Sequence, residues 1–232
     1  MKKVIVSALG CLGGLLLTSS VSDYAIAAKS NVFSSHTNVG VTPKKGKVKY
    51  DSKKNEYAIT GGGANIWGTT DAFEYVCRKI SGDVTLSADI RFVGQGAVAH
   101  RKGALMIRQS LDPGSPYADV ALHGDGLTSL QYRETQGAET KEIRSNLKMP
   151  SRFRIERRGD QFTLYAGNGD DLKPTGPVTV SLKDPVYVGL AVTSHDANVL
   201  ETLIFSNVHL EAGQKQTANE FQLLSENFGR TE

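Results

Sequence analysis

Arg101-Lys102-Gly103-Ala104-Leu105-Met106-Ile107-Arg108-Gln109-Ser110-Leu111-Asp112-Pro113-Gly114-Ser115-Pro116-Tyr117-Ala118 reads as a strand, a Pro-Gly turn and the start of a second strand. In the first strand Leu105, Ile107 and Gln109 alternate with Ala104, Met106 and Arg108. In the second, Ala118, Val120 and Leu122 alternate with Tyr117, Asp119, Ala121 and His123; in a third, Leu130 and Tyr132 alternate with Ser129, Gln131 and Arg133. Successive side chains of a strand point to opposite faces of its sheet. Paired as hairpins, these strands would place Ile107 and Val120 in a core. Their other face would collect Arg108, Tyr117, Asp119, His123, Gln131 and Arg133 as one surface.

The same period of two runs through most of the chain. Val84, Leu86, Ala88, Ile90 and Phe92 form one apolar set, and Phe153 with Ile155 another. Phe162 and Leu164 follow after the turn pair Gly159-Asp160. Val186, Val188, Leu190 and Val192 form a later set, then Leu203 and Phe205. Ser81-Gly82, Asp112-Pro113-Gly114, Gly124-Asp125-Gly126, Gly167-Asn168-Gly169 and Lys183-Asp184-Pro185 mark turns between these runs. About a dozen short strands and no useful helical period before residue 211 predict an all-β sandwich or barrel. Leu86, Ile90, Ile107, Val120, Phe153, Leu164, Val188, Leu190 and Phe205 are its expected core. Residues 28–46 read as an extended arm or short first strand, and 47–211 as the sandwich. Residues 212–232 read as a frayed tail, a short docking helix or the start of a linker.

The first 27 residues read as an export signal. Lys2 and Lys3 precede the apolar stretch from Val4 to Leu17, and Ala25-Ile26-Ala27 supplies small residues before a cut at Ala28. Ala8-Leu9-Gly10-Cys11 only loosely matches a lipid-attachment motif, because the apolar run continues past Cys11. The expectation is a bacterial periplasmic or secreted protein without lipid and without a membrane span. Beyond residue 27 Lys and Arg exceed Asp and Glu by two, a balance that calls for no nucleic acid. Cys77 is then the remaining cysteine, so a disulfide within the chain is excluded. Its ordinary reading is a small buried apolar residue.

Tyr57 to Tyr75 (with Gly61-Gly62-Gly63-Ala64-Asn65-Ile66-Trp67-Gly68 inside it), Ser81-Gly82-Asp83-Val84, Arg101 to Arg133 and Tyr187 to His195 recur together in one known group. On these strings the chain resembles the bacterial concanavalin A-like family of unknown function of the "regulation of enolase" type. It is most similar to the version found in TolB-like periplasmic proteins, where the domain accompanies a β-propeller. The resemblance implies a concanavalin A-like jelly-roll sandwich of two antiparallel sheets. It implies no catalytic set, and this chain ends near residue 232 without a propeller.

Arg, His, Asp and Tyr on one sheet face suit hydroxyl recognition, since planar donors and carboxylates can bond sugar hydroxyls in pairs. The competing reading is an ordinary solvated face. Trp67, the single tryptophan, could stack on a sugar ring or plug one end of the sandwich. The candidate ligand-binding set is therefore Trp67, Arg108, Tyr117, Asp119, His123, Gln131 and Arg133. Enzyme signatures are weak. Retaining glycosidases hold two carboxylates about 5 Å apart, and no Glu-x-Asp-x-Glu string occurs; Asp170-Asp171 falls in a turn and Glu134 stands alone. His36, His100, His123, His195 and His209 show no zinc spacing, and Asp125 between two glycines reads as turn chemistry. The expectation is a non-catalytic domain without cofactor or metal that binds carbohydrate or a cell-envelope glycan. The alternatives are a glycan lyase or hydrolase, or a module that docks on a periplasmic protein.

Overall fold

The computed structural model describes residues 30–96 and 98–213. The expected export signal and most of the expected C-terminal tail lie outside the described residues. Within them the chain forms sixteen strands and no helix. The first eight are β1 (Ser35–Val39), β2 (Lys47–Asp51), β3 (Glu56–Gly63), β4 (Ile66–Trp67), β5 (Thr70–Asp71), β6 (Phe73–Ile80), β7 (Val84–Phe92) and β8 (Lys102–Arg108). Then follow β9 (Tyr117–His123), β10 (Thr128–Arg133), β11 (Lys141–Arg144), β12 (Arg152–Arg158), β13 (Gln161–Asn168), β14 (Asp171–Thr179), β15 (Val186–Thr193) and β16 (Asp196–Ala212).

Two seven-stranded sheets and one two-stranded ribbon account for all of them. The front sheet runs β1-β6-β15-β8-β9-β10-β11 and the back sheet β14-β13-β12-β7-β16-β3-β2. The ribbon is β4-β5. Neighbouring strands pair antiparallel throughout. The expected hairpins are present: Ile107 faces Ala118, Leu105 faces Val120, and Leu130 faces Val120 from the other side. The turn pair Gly159-Asp160 joins β12 to β13, with Arg158 opposite Gln161. β1 pairs with β6, so part of the N-terminal arm is a true strand. The last two strands are not at the edges. β15 lies between β6 and β8, and β16 between β7 and β3. Both sheets therefore close only through pairings far apart in sequence.

The core lies between the sheets. All nine residues expected there are buried, each at most 3% exposed. They belong to one cluster, because alternation fixes which face each strand turns inward.

The other face of the front sheet differs from expectation. It is not solvated: every residue of β8 and β9 is buried. A second apolar cluster, including Val39, Ile66, Phe73, Tyr75, Met106 and Tyr117, covers part of it. The glycine run explains how this cover is laid. A Cβ on Gly63, whose φ is +128°, would collide with the Ala72 carbonyl, and one on Gly61 would stand 2.7 Å from Glu74 Cβ. Thr193 donates its hydroxyl to the Gly63 and Ala72 carbonyls at 3.1 and 3.0 Å. Backbone passes against backbone here, and the chain crosses onto the front sheet as the β4-β5 ribbon.

Phe205 is completely buried in the inter-sheet core. Phe205→Ala is expected to cost about 3 to 5 kcal/mol of stability by urea denaturation, from lost transfer energy plus a cavity. A loss below about 1 kcal/mol would mean that β16 is not an interior strand of the back sheet.

Candidate functional site

The polar face of β8, β9 and β10 is divided into two layers. The lower layer centres on Asp71, at the end of the β4-β5 ribbon. Arg133 donates Nη1 and Nη2 to its two carboxylate oxygens, each at 2.8 Å. Arg108 Nη2 stands 3.4 Å from Asp71 Oδ2. The side chains of all three are fully buried. Most of the remaining donors of the two guanidiniums go to loop carbonyls, while Arg108 Nη1 faces Met106 Sδ at 3.5 Å and Arg133 Nη2 also reaches Thr140 Oγ1 at 3.2 Å. Arg133 reaches Gly68 at 2.9 Å, Ala138 at 2.9 Å and Ser115 at 3.1 Å. Arg108 reaches Ser110 at 2.7 Å and Asp112 at 2.6 Å. Arg133 lies over the Tyr117 ring and Arg108 over the Phe73 ring, at 5.0 and 5.1 Å from their centroids. The Tyr117 hydroxyl is 3.1 Å from Thr140 Oγ1.

Ligand contact by Arg108, Arg133 and Tyr117 is thus corrected. They are on the expected face and together, but sealed under loops. Alternation shows the side of a sheet and not what covers it. Asp119 is also sealed, cross-strand from Met106 and Gln131. It is fully buried, and neither carboxylate oxygen has a hydrogen bond of normal geometry. Burial raises its carboxyl strongly; nearby Lys102 opposes this, and the Gln131 backbone N–H offers only partial relief.

The upper layer opens to solvent. A cavity of about 200 Å³ is lined by Asn65, Trp67, His100, Lys102, His123, Leu127, Gln131, Glu142, Arg144 and His195. Trp67, His123 and Gln131 of the expected set are here. Lys102 comes from the start of β8, directly opposite His123. Its ammonium donates to the Ile66 carbonyl at 2.7 Å and to Gln131 Oε1 at 3.4 Å, 5.5 Å from the Trp67 ring centroid. Burial lowers its pKa, opposed by the charges of Asp119, Glu142 and Asp71.

His123 and His195 are neutral donors and acceptors. His123 Nδ1 faces the Leu127 carbonyl at 3.0 Å, so that nitrogen carries the proton. Burial first, then the Lys102 charge, push its pKa down to about 4. His195 Nε2 accepts from Asn65 Nδ2 at 3.1 Å, and burial, Lys102 and His100 lower its pKa. The His100 ring stands 5.8 Å from that of His123 and 5.7 Å from that of His195. Among the described residues no group of His, Cys, Asp or Glu is arranged to hold a metal. Asp125 Oδ1 accepts from the Leu127 N–H at 3.0 Å, as turn chemistry requires. Cys77 is buried, and burial raises its thiol pKa.

Lys102 could have been read from the sequence, since it shares the face of Ala104, Met106 and Arg108. Glu142 and Arg144 sit on β11, a short edge strand of alternating charge that looks like any solvated edge. Asn65, His100 and His195 reach the cavity from loops, and no local period marks them.

No protein-family model and no curated protein matches the chain. Solved structures of similar shape are known. One is a functionally unknown protein from Saccharomyces cerevisiae, 11% identical, with a TM-score of 0.60, covering 77% of this chain and 97% of that one. Another is the carbohydrate-binding module CBM66 from Bacillus subtilis, 16% identical, TM-score 0.51, covering 79% and 99%. A glycosyl hydrolase family protein from Mycobacterium fortuitum is more distant, 14% identical, TM-score 0.48, covering 80% and 95%. The likeness is one of fold: a concanavalin A-like jelly-roll sandwich of two antiparallel sheets.

Removing the shared carboxylate with Asp71→Ala leaves two buried guanidiniums short of their counter-ion. A loss of about 3 to 5 kcal/mol is expected in denaturant titration; a loss under about 1 kcal/mol would show that the loops hold without it. Asp119 supplies a pH signature. Its carboxyl ionises near about pH 4 when unfolded and near about 8 when folded. Within that window the native state binds the extra proton, so stability falls as pH rises. Thermal melts should show this fall in the wild type and a shallower one in Asp119→Asn. Parallel pH profiles for the two proteins would refute the buried neutral carboxyl.

Proposed function

We propose that this protein is an exported, non-catalytic glycan-binding module, and that its ligand occupies the cavity beside Trp67. The observation that carries this reading is the Trp67 indole. It is 39% exposed, at the mouth of a cavity whose other lining residues are polar apart from Leu127. Sugars present an apolar ring face and a rim of hydroxyls, which matches one aromatic surface and converging polar groups. Lys102, His123 and Gln131 are positioned by mutual hydrogen bonds, and Asn65 by one to His195, so a ligand would meet pre-set partners rather than flexible ones.

Two further observations agree. A module from Bacillus subtilis with this fold is described as carbohydrate-binding. Among the described residues Glu142 is the one carboxylate lining the cavity, whereas glycoside hydrolysis ordinarily uses a pair. Residues 1–27 supply the export signal, which would place the module among envelope or extracellular glycans.

Trp67 is the single tryptophan, so its emission reports on this site alone. A glycan-array screen followed by fluorescence titration is expected to find a sugar that shifts or quenches that emission. Trp67→Ala should weaken binding by about 1 to 2 kcal/mol, roughly tenfold. A glycan that binds with unchanged emission and unchanged affinity in the variant would move the site elsewhere.

A further inference from the structure

The cavity is unequal in its hydrogen-bonding capacity. Among the described residues most of its acceptors are committed, the ring nitrogens of His100 excepted. Glu142 takes Arg144 Nε at 2.7 Å and Gln131 Nε2 at 3.3 Å. Burial works to raise its carboxyl, and bonds from Arg144, Ser129 and Gln131 outweigh this, so it stays ionised. Gln131 Oε1 is taken by Lys102, and His195 Nε2 by Asn65.

Donors remain. An ammonium has three N–H bonds, and among the described residues Lys102 uses two of them. Arg144 uses Nε on Glu142, while among the described residues its two terminal nitrogens make no hydrogen bond; its side chain is 71% exposed. The charges are unequal as well. Lys102 and Arg144 share one carboxylate in the cavity lining, Glu142; Asp71 is already paired with two arginines, and the flanking histidines His123 and His195 are neutral. Asp119, beneath, is buried with neither carboxylate oxygen hydrogen-bonded, and burial favours its uncharged form.

We infer that the cavity selects a sugar bearing an anionic oxygen group, a uronate carboxylate or a sulfate ester, held by the Lys102 ammonium and the Arg144 guanidinium. Such a group accepts several hydrogen bonds and donates none, which complements a donor-rich wall. A neutral sugar brings a proton with each hydroxyl, and here those protons find few free acceptors. The ammonium of Lys102 is largely shielded from water, so its attraction for an anion is little weakened by solvent. Arg144 at the rim adds a planar fork suited to carboxylate or sulfate. This inference rests on the glycan-binding reading and names the class of sugar.

The test uses matched pairs on the intact protein, read by Trp67 emission. Oligogalacturonate is compared with its carboxyl-reduced neutral form, and a sulfated galactan with its desulfated form. The acidic member of at least one pair should bind about tenfold or more tightly than its neutral partner. Whichever pair responds identifies carboxylate or sulfate as the source. Arg144→Gln should remove most of that preference, and Lys102→Met should do the same if its melting curve remains cooperative. Added salt should weaken the acidic ligand selectively. Equal affinity within both pairs would overturn the anionic preference while leaving glycan binding in place. Absence of binding to any member of the pairs or of a neutral array would overturn both.

Discussion

The buried carboxylate of Asp71 is the constraint on which the site depends. Three ionic side chains meet without solvent, and two of them spend most of their other donors on main-chain carbonyls of separate loops. A buried ion pair contributes little net stability compared with a well-packed apolar substitute, because desolvation offsets most of the attraction. Its consequence here is positional. Each guanidinium can satisfy its hydrogen bonds only if the 66–72, 110–116 and 134–140 segments lie where they do. The arginines of the front sheet therefore act as fixed pegs, and the loop carrying Trp67 is hung on them.

With that loop in place, one face of the front sheet grades from a closed interior to an open cavity. At the Arg108–Arg133 end the ribbon and loops seal it, and apolar rings stack on the guanidiniums. At the Lys102–His123 end the cover stops, and the same row of polar residues on the outer face becomes a cavity wall. Asp119 lies between the two regimes, which accounts for its unpaired oxygens and its raised carboxyl. The neutral histidines follow from the same placement, since burial and the Lys102 charge both disfavour a second cation.

The fold and the function have separate grounds. A concanavalin A-like sandwich is a scaffold that hosts many activities, so likeness of shape carries architecture and no more. The functional reading comes from the cavity: an exposed indole, a shielded ammonium, spare guanidinium donors and a carboxylate already in use. The residues lining the cavity come from β4, β8, β9, β10 and β11 and from four loops. The rigidity of the sandwich is what keeps such dispersed groups in register.

The period-two runs by themselves determined the architecture. Burying alternate residues leaves one inward face per strand, so Leu86, Ile107, Val120, Leu190 and Phe205 could only be core, and Asp119, His123 and Gln131 had to share the opposite side. Side is a local property, readable from spacing. Cover is not. Whether Arg108 or His123 meets water depends on where β4-β5 and the 134–140 segment come to rest, and that is decided by contacts across 62 residues between Asp71 and Arg133. The same holds for Asn65, His100 and His195, which meet because β15 inserts beside β8 and the glycine run brings the 64–72 segment across the sheet. The burial that made Arg108 and Arg133 structural and left Lys102 at a cavity wall exists only once both sheets have closed.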